Sequence, residues 1–143
     1  SLHDALPIWY GEEAFSFEAT MDGDIGEWKV PSLLLQTLVE NSVVHGVSLD
    51  RKSEISLYLT NETYEDGEYL YICISDTGNG FRKEALDAIE HDTPIIYHGR
   101  HHVGISNIKR RLALMYGERA SITCSNMDEN YGAVVEVRLP KTE

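Results

Sequence analysis

From Phe15 the chain alternates: Phe15, Phe17 and Ala19 take one side, Ser16, Glu18 and Thr20 the other. A two-residue period predicts a half-buried strand. The same period returns over residues 53–61, with Ile55, Leu57 and Leu59 aligned, and over residues 68–76, with Leu70, Ile72 and Ile74 aligned. The polar stretch of residues 61–67 predicts the hairpin turn between them. Residues 120–126 and 133–139 read as a last pair of strands around a turn at residues 127–132. Between these segments the period lengthens. Pro31 suits the first position of a helix, where a missing N–H costs nothing, and Gly46 suits its end, so a helix is predicted over residues 32–45. A short helix is predicted over residues 83–89 and a longer one over residues 104–116, with Ile105, Ile108, Leu112 and Met115 on one stripe and Gly117 after it. Residues 21–27 are a loop rich in Asp and Gly, and residues 91–102 have no period and read as a long mobile loop.

The order strand, helix, strand, strand, helix, loop, helix, strand, strand predicts an α+β fold. Its architecture is a two-layer sandwich, a mixed sheet with helices on one face. A doubly wound parallel sheet would alternate strand and helix throughout. Residues 1–9 show no pattern and are expected to be a leader, a linker or a cloning remnant; residues 10–143 are expected to form one domain.

Composition narrows the function. The chain has 143 residues, 42% of them hydrophobic, and a formal net charge of −12. Nucleic acid and anionic lipid both want a basic face, so neither is the expected partner. A small nucleotide remains open, because backbone N–H groups and a divalent cation hold phosphates well in an acidic protein. Cys73 and Cys124 lie in strand-like runs and read as reduced core thiols. No apolar run approaches the ~20 residues of a membrane-spanning helix, and no secretory leader is visible. A cytoplasmic domain is expected.

Asp76 is the most informative position. It continues the inward stripe of Leu70, Ile72 and Ile74, and a carboxylate there is expensive to bury unless something bonds it. It either starts a turn, as Asp often does, or forms a pocket floor that accepts a hydrogen bond from a ligand amine. Gly78 and Gly80 follow and let backbone approach a ligand closely. Asn41 and His45 likewise continue the stripe of Leu34 and Leu38 on one helix sector, at ~100° per residue. They are either satisfied core polar groups or ligand contacts, Asn being a neutral oxygen ligand suited to Mg²⁺ when phosphates bring the charge. Glu40, on another sector near Gln36, is either solvated or reaches a metal's water shell. Gly104 opens a helix whose free N–H groups suit an anion, with Asn107 in its first turn. Lys109, Arg110 and Arg111 read either as a solvated face or as a phosphate or partner contact. His91, His98, His101 and His102 crowd the long loop, but their spacing matches no defined metal site.

These segments together resemble a family. The run PSLLLQTLVENSVVHG, from Pro31 to Gly46, is similar to the N box of sensor histidine kinases of the LytS/YesM type. ISDTGNGF, from Ile74 to Phe81, resembles their G1 box. VGISNIKRRL, from Val103 to Leu112, with Tyr116 and Gly117, resembles their G2 region and the helix after it. The motifs stand in the family's order across residues 10–139. The resemblance implies the Bergerat (GHKL) ATP-binding fold and ATP with Mg²⁺. It implies that Asn41 ligates the Mg²⁺ bridging the phosphates and that Asp76 accepts from the adenine amine. Gly78 and Gly80 would shape the adenine end, with His45 lining the pocket beside Asn41. Gly104 and the N–H groups after it, Ile105 and Asn107 included, would meet the phosphates beside His102, under a lid of residues 82–103. Glu40 and Asn41 would be the catalytic pair.

Two residues depart from the family. Val44 stands where many such kinases carry Lys or Arg, and His102 stands at the first glycine of the usual GxGL pattern. No segment here resembles the phosphoacceptor helix, so the resemblance implies the catalytic domain of a longer, membrane-anchored kinase. It would work with an upstream dimerisation domain and, indirectly, a response regulator, without touching nucleic acid or membrane itself. Two other readings stay open. One is a non-catalytic nucleotide-sensing module. The other is a GHKL ATPase, which the resemblance disfavours because Thr37 occupies the position of the ATPases' catalytic glutamate.

Overall fold

A computed structural model describes residues 15–26, 28–31, 33–46, 53–92, 103–128 and 131–142. In chain order the elements are β1 (Phe15–Met21), α1 (Leu34–Gly46), β2 (Ser53–Tyr64), β3 (Gly67–Asp76), α2 (Lys83–His91), α3 (Val103–Tyr116), a 3₁₀ turn (Gly117–Arg119), β4 (Ser121–Asp128) and β5 (Tyr131–Pro140). The strands form one sheet in the order β1-β2-β3-β5-β4. β1 runs parallel to β2, and the remaining neighbours are antiparallel. The parallel pair follows from connectivity: α1 lies between β1 and β2 in sequence, and a helical crossover returns a strand in the same direction. The expected mixed sheet with interrupting helices is therefore the observed one.

Period two decides which side of the sheet is buried. Ile55, Leu57 and Leu59 of β2, Leu70, Ile72 and Ile74 of β3, and Val135, Val137 and Leu139 of β5 all face the helices. They meet Leu34, Leu38, Val39 and Val43 of α1 and Ile105, Ile108 and Leu112 of α3. α1 packs on β2, β3 and β5 and against α3. The other face of the sheet is held by polar and aromatic pairs. Tyr71 Oη donates to Glu136 at 2.5 Å. The Arg138 guanidinium lies over the Tyr71 ring at 4.7 Å and bonds Glu62 at 3.1 Å. Cys73 stands on this side opposite Glu136, whereas Cys124 packs against the core; both are free thiols, so only Cys124 is the expected core thiol. Burial pushes the Cys124 thiol up to about 12, which keeps it protonated and inert.

Local chemistry moved several boundaries. The hairpin between β2 and β3 turns on Glu65 and Asp66 alone, because polar residues 61–64 stay in the strand on a solvated rim. β4 and β5 likewise run closer together than the predicted turn allowed. Pro31 does not open α1. Its carbonyl accepts from Leu34 N at 3.1 Å, closing a turn in which Leu33 adopts φ +69°. Leu33 then takes the first helical bond, from Thr37 N at 2.8 Å. On α3, Met115 is 56% exposed, and Tyr116 packs against the core in its place. At ~100° per residue, Tyr116 lies closer to the direction of Ile105 than Met115 does. Residues 93–102, which hold most of the expected mobile loop, and residues 1–9 fall outside the described set.

Candidate functional site

β3 ends on Asp76, and the strand period that buries Ile72 and Ile74 also buries this carboxylate, leaving it 3% exposed. Its Oδ1 accepts from Gly78 N at 2.9 Å and, at longer range, from Ala133 N at 3.4 Å. The first bond closes an Asx turn that takes the chain out of the strand. No hydrogen bond to Oδ2 is found among the described residues. Burial raises the Asp76 pKa above the usual carboxylate range, and the two backbone N–H bonds offset part of that rise. A half-satisfied buried carboxylate is the feature that calls for an outside donor.

The loop after Asp76 is pinned from both sides. Thr77 N donates to Glu54 O at 3.1 Å, and Thr77 Oγ1 accepts from Glu54 N at 2.9 Å, tying the loop to β2. Gly132 N donates to Gly78 O at 2.8 Å, tying it to β5. Gly80 adopts φ +78°, and a Cβ there would stand 2.7 Å from Asn126 Oδ1, so only glycine fits. Asn126 of β4 brackets the next residue. Its Oδ1 accepts from Phe81 N at 2.7 Å and its Nδ2 donates to Phe81 O at 2.9 Å. The sequence reading missed Asn126. A carboxamide near the end of an exposed-looking strand carries no periodic signal.

A second group forms where α1 meets the start of α3. Asn41 is half-buried in the third turn of α1. Its Oδ1 lies 4.0 Å from the place a Cβ on Gly104 would occupy, and Gly104 is the second residue of α3. The free N–H groups of that first turn and the positive end of the helix dipole therefore lie beside a neutral oxygen ligand. The two residues stand 63 positions apart in the sequence. Ile105 is 0% exposed in the core, so only its backbone N–H is available to a ligand. Asn107 is exposed one turn further on. Glu40 is half-buried and accepts from Gln36 Nε2 at 2.9 Å, one helical turn back. His45 occupies the last turn of α1, and His102 lies outside the described residues.

Of the basic run, Arg110 and Arg111 are exposed as expected, but Lys109 is not a solvated face. Its Nζ donates to Ile89 O at 2.5 Å and Glu90 O at 3.4 Å, and pairs with Asp92 Oδ1 at 3.0 Å. It closes the C-terminal end of α2, the helix at the root of the predicted lid. Among the described residues no cluster of His, Cys, Asp and Glu could hold a metal alone. A hard cation at Asn41 fits only with phosphate oxygens completing its shell.

Comparison with known proteins gives the family. Residues 30–143 match the family described as "Histidine kinase-, DNA gyrase B-, and HSP90-like ATPase". The chain belongs to this family, whose ATP-binding fold is the Bergerat fold. It is 32% identical over 90 residues to the sensor histidine kinase YpdA of Escherichia coli K12, covering 62% of this chain and 14% of that protein. It is also 32% identical over 114 residues to the sensor protein LytS of Streptococcus agalactiae, covering 78% of this chain and 18% of that one. The chain thus spans less than a fifth of these curated relatives. Its fold is that of histidine kinase catalytic domains. The nucleotide-free catalytic domain of histidine kinase ThkA superposes with a TM-score of 0.69 at 15% identity, over 99% of this chain and 90% of that one. Full-length ShkA in complex with AMPPNP gives 0.61 at 15% identity, over 92% of this chain and 26% of that one.

Proposed function

We propose that this chain is the ATP-binding catalytic domain of a two-component sensor histidine kinase. The observation that carries the reading is Asp76, buried at the end of β3 with Oδ1 held by backbone N–H groups and, among the described residues, no hydrogen bond at Oδ2. An ionised carboxylate in that position selects a donor, and the adenine amino group is one. Gly78 and Gly80 bring backbone to the base. Gly104 and the N–H groups of Ile105 and its neighbours receive the phosphates, with Asn107 at the rim; the motif resemblance adds His45 and His102 to this set. Asn41 would hold a divalent cation together with phosphate oxygens, which would supply charge neutralisation there, and Glu40 would orient water around it. The domain's task is then to position and polarise. The acceptor imidazole nitrogen forms a bond to the γ phosphorus as the bond to the β,γ-bridging oxygen breaks, and ADP leaves.

The acceptor histidine belongs to an upstream dimerisation domain of a longer parent protein, a bacterial sensor anchored in the membrane with this domain on the cytoplasmic side. A response regulator takes the phosphoryl group onward. Among the described residues no helix is long and apolar enough to cross a membrane.

The test is phosphotransfer in parts. The purified chain is incubated with γ-labelled ATP and Mg²⁺, alone and with the parent's helical dimerisation domain. Acid-labile, alkali-stable label is expected on the added domain and not on this chain. ATP binding without transfer would favour the nucleotide-sensing module. Phosphate release to water at a kinase-like rate would favour the ATPase. No ATP binding at all would remove the reading.

A further inference from the structure

We infer that Asn126 is a positioning residue of the base pocket, holding the adenine loop in register through the backbone of Phe81. The inference rests on the assignment of Asp76 to the adenine amine. Asn126 sits on β4, an edge strand of the sheet, outside every motif of the site. Its carboxamide bonds both Phe81 N and Phe81 O, at 2.7 and 2.9 Å, imitating the pairing of a neighbouring strand. The pair meets the chain just past Gly80, which is pressed against the same carboxamide.

The loop therefore has two ends and four ties. Asp76 anchors the first end from within the sheet. Asn126 anchors the last, where the side chain of Phe81 turns into the core, 5% exposed. Thr77 with Glu54 and Gly78 with Gly132 fix the middle. Releasing Phe81 frees Asn79 and Gly80, which no other hydrogen bond holds among the described residues, and with them the entry to α2. A base pocket framed by a loose loop loses affinity through the entropy of ordering it on binding. It also loses discrimination, because the amine of adenine and the carbonyl of hypoxanthine differ only if the carboxylate is held still.

The experiment measures binding of ATP and inosine triphosphate to the purified chain, wild type against Asn126→Ala, Asn126→Asp and Ile122→Ala, with thermal melts of each. Ile122 sits on the same strand but packs toward the core, so its truncation reports stability loss alone. In Asn126→Ala, ATP affinity is expected to fall about ten-fold, the scale of two lost hydrogen bonds, and the preference over inosine triphosphate to shrink. Ile122→Ala is expected to melt lower with that preference intact. If Asn126→Ala does not fold, Asn126→Asp carries the test. It keeps an acceptor for Phe81 N and loses the donor to Phe81 O, and a shrunken preference is again expected. An unchanged preference in whichever Asn126 variant folds overturns the inference. A wild-type chain that binds both triphosphates equally overturns the Asp76 assignment first, and this inference with it.

Discussion

The carboxamide oxygen of Asn41 and the α-carbon of Gly104 face each other across a gap that a single methyl group would fill, with Oδ1 4.0 Å from the position of a Cβ. That distance is ordinary contact, and Gly104 needs no left-handed backbone. Nothing in the fold itself therefore asks for glycine there. Gly104→Ala is expected to melt at the same temperature or higher, since alanine gains up to about 0.5–1 kcal/mol over glycine inside a helix. The same variant is expected to bind ATP–Mg²⁺ several-fold more weakly, because the methyl occupies the space between a metal ligand and the phosphate-binding N–H groups. Titration of both proteins with ATP and Mg²⁺ checks this. Unaltered affinity with raised stability would mean that the gap is not where phosphates lie.

Asp76 makes the same trade by another route. Its pKa is raised by burial, so the folded chain holds this proton at pH values where the unfolded chain has lost it. Stability from this group is present below the unfolded value and falls as pH rises through the window up to the folded one. Burial makes the ionised form of this carboxylate costly in the nucleotide-free domain. Asp76→Asn is expected to raise the melting temperature of the nucleotide-free domain and to flatten that part of its pH dependence. ATP affinity is expected to drop by about ten- to a hundred-fold, from a bond to a charged group worth ~1.5–3 kcal/mol. The amide still accepts from Gly78 but turns a donor toward the adenine amine. In the wild type, affinity should weaken as pH is lowered through the raised pKa, because the donor favours the ionised form. An affinity independent of pH in that range, and equal in Asp76→Asn, would show that the base does not rest on this carboxylate.

What the sequence revealed was whatever repeats. The stripe Leu70, Ile72, Ile74 placed Asp76 inside without any knowledge of its neighbours, and the stripe Leu34, Leu38 pointed Asn41 toward the same side of its helix. The G1 and G2 glycines were visible as breaks in pattern. What escaped depends on contacts between distant segments. Asn126 reads as one more polar strand residue until Phe81 is brought 45 positions back to it. Lys109 reads as one of three basic neighbours until α2 ends against it. The start of α1 was misplaced because Pro31 suits a helix opening and a β-turn equally well, and the choice is made by Leu33 taking φ +69°.

Lys109 closes the C-terminus of α2, bonding carbonyls that have no helical partner and adding charge where the helix dipole favours a cation. Its partner Asp92 adopts φ +57° and bonds back to Ala88 O. Lys109→Met keeps the aliphatic stem and removes the cap. The expected cost is ~0.5–1.5 kcal/mol, concentrated in the last turn of α2. Hydrogen exchange at Ala88–His91 should accelerate while that of Leu70–Ile74 stays unchanged. Equal acceleration in both segments would point to a global loss of stability, and none in α2 would show that the cap does no work there.

The role of Asn41 separates the metal from the nucleotide. A carboxamide brings no charge, and no acidic cluster stands among the described residues to hold a cation by itself. Any cation at this position therefore depends on the triphosphate for most of its ligands. Binding should then be cooperative: Mg²⁺ alone binds weakly, ATP alone binds through the base and the helix N-terminus, and each strengthens the other. Asn41→Ala removes one oxygen from the shared shell and leaves Asp76 and the Gly104 N–H untouched. Affinity for ATP in the presence of a chelator is expected to stay within about two-fold of wild type, while the gain on adding Mg²⁺ shrinks by about ten-fold, the scale of one lost polar contact to a charged group. ADP should show a smaller change in the same direction, having one fewer phosphate to share the ion. Isothermal titrations with and without Mg²⁺ read both numbers directly. Identical Mg²⁺ dependence in the two proteins would place the ion elsewhere, and a large loss of chelator-insensitive affinity would make Asn41 a phosphate contact rather than a metal ligand.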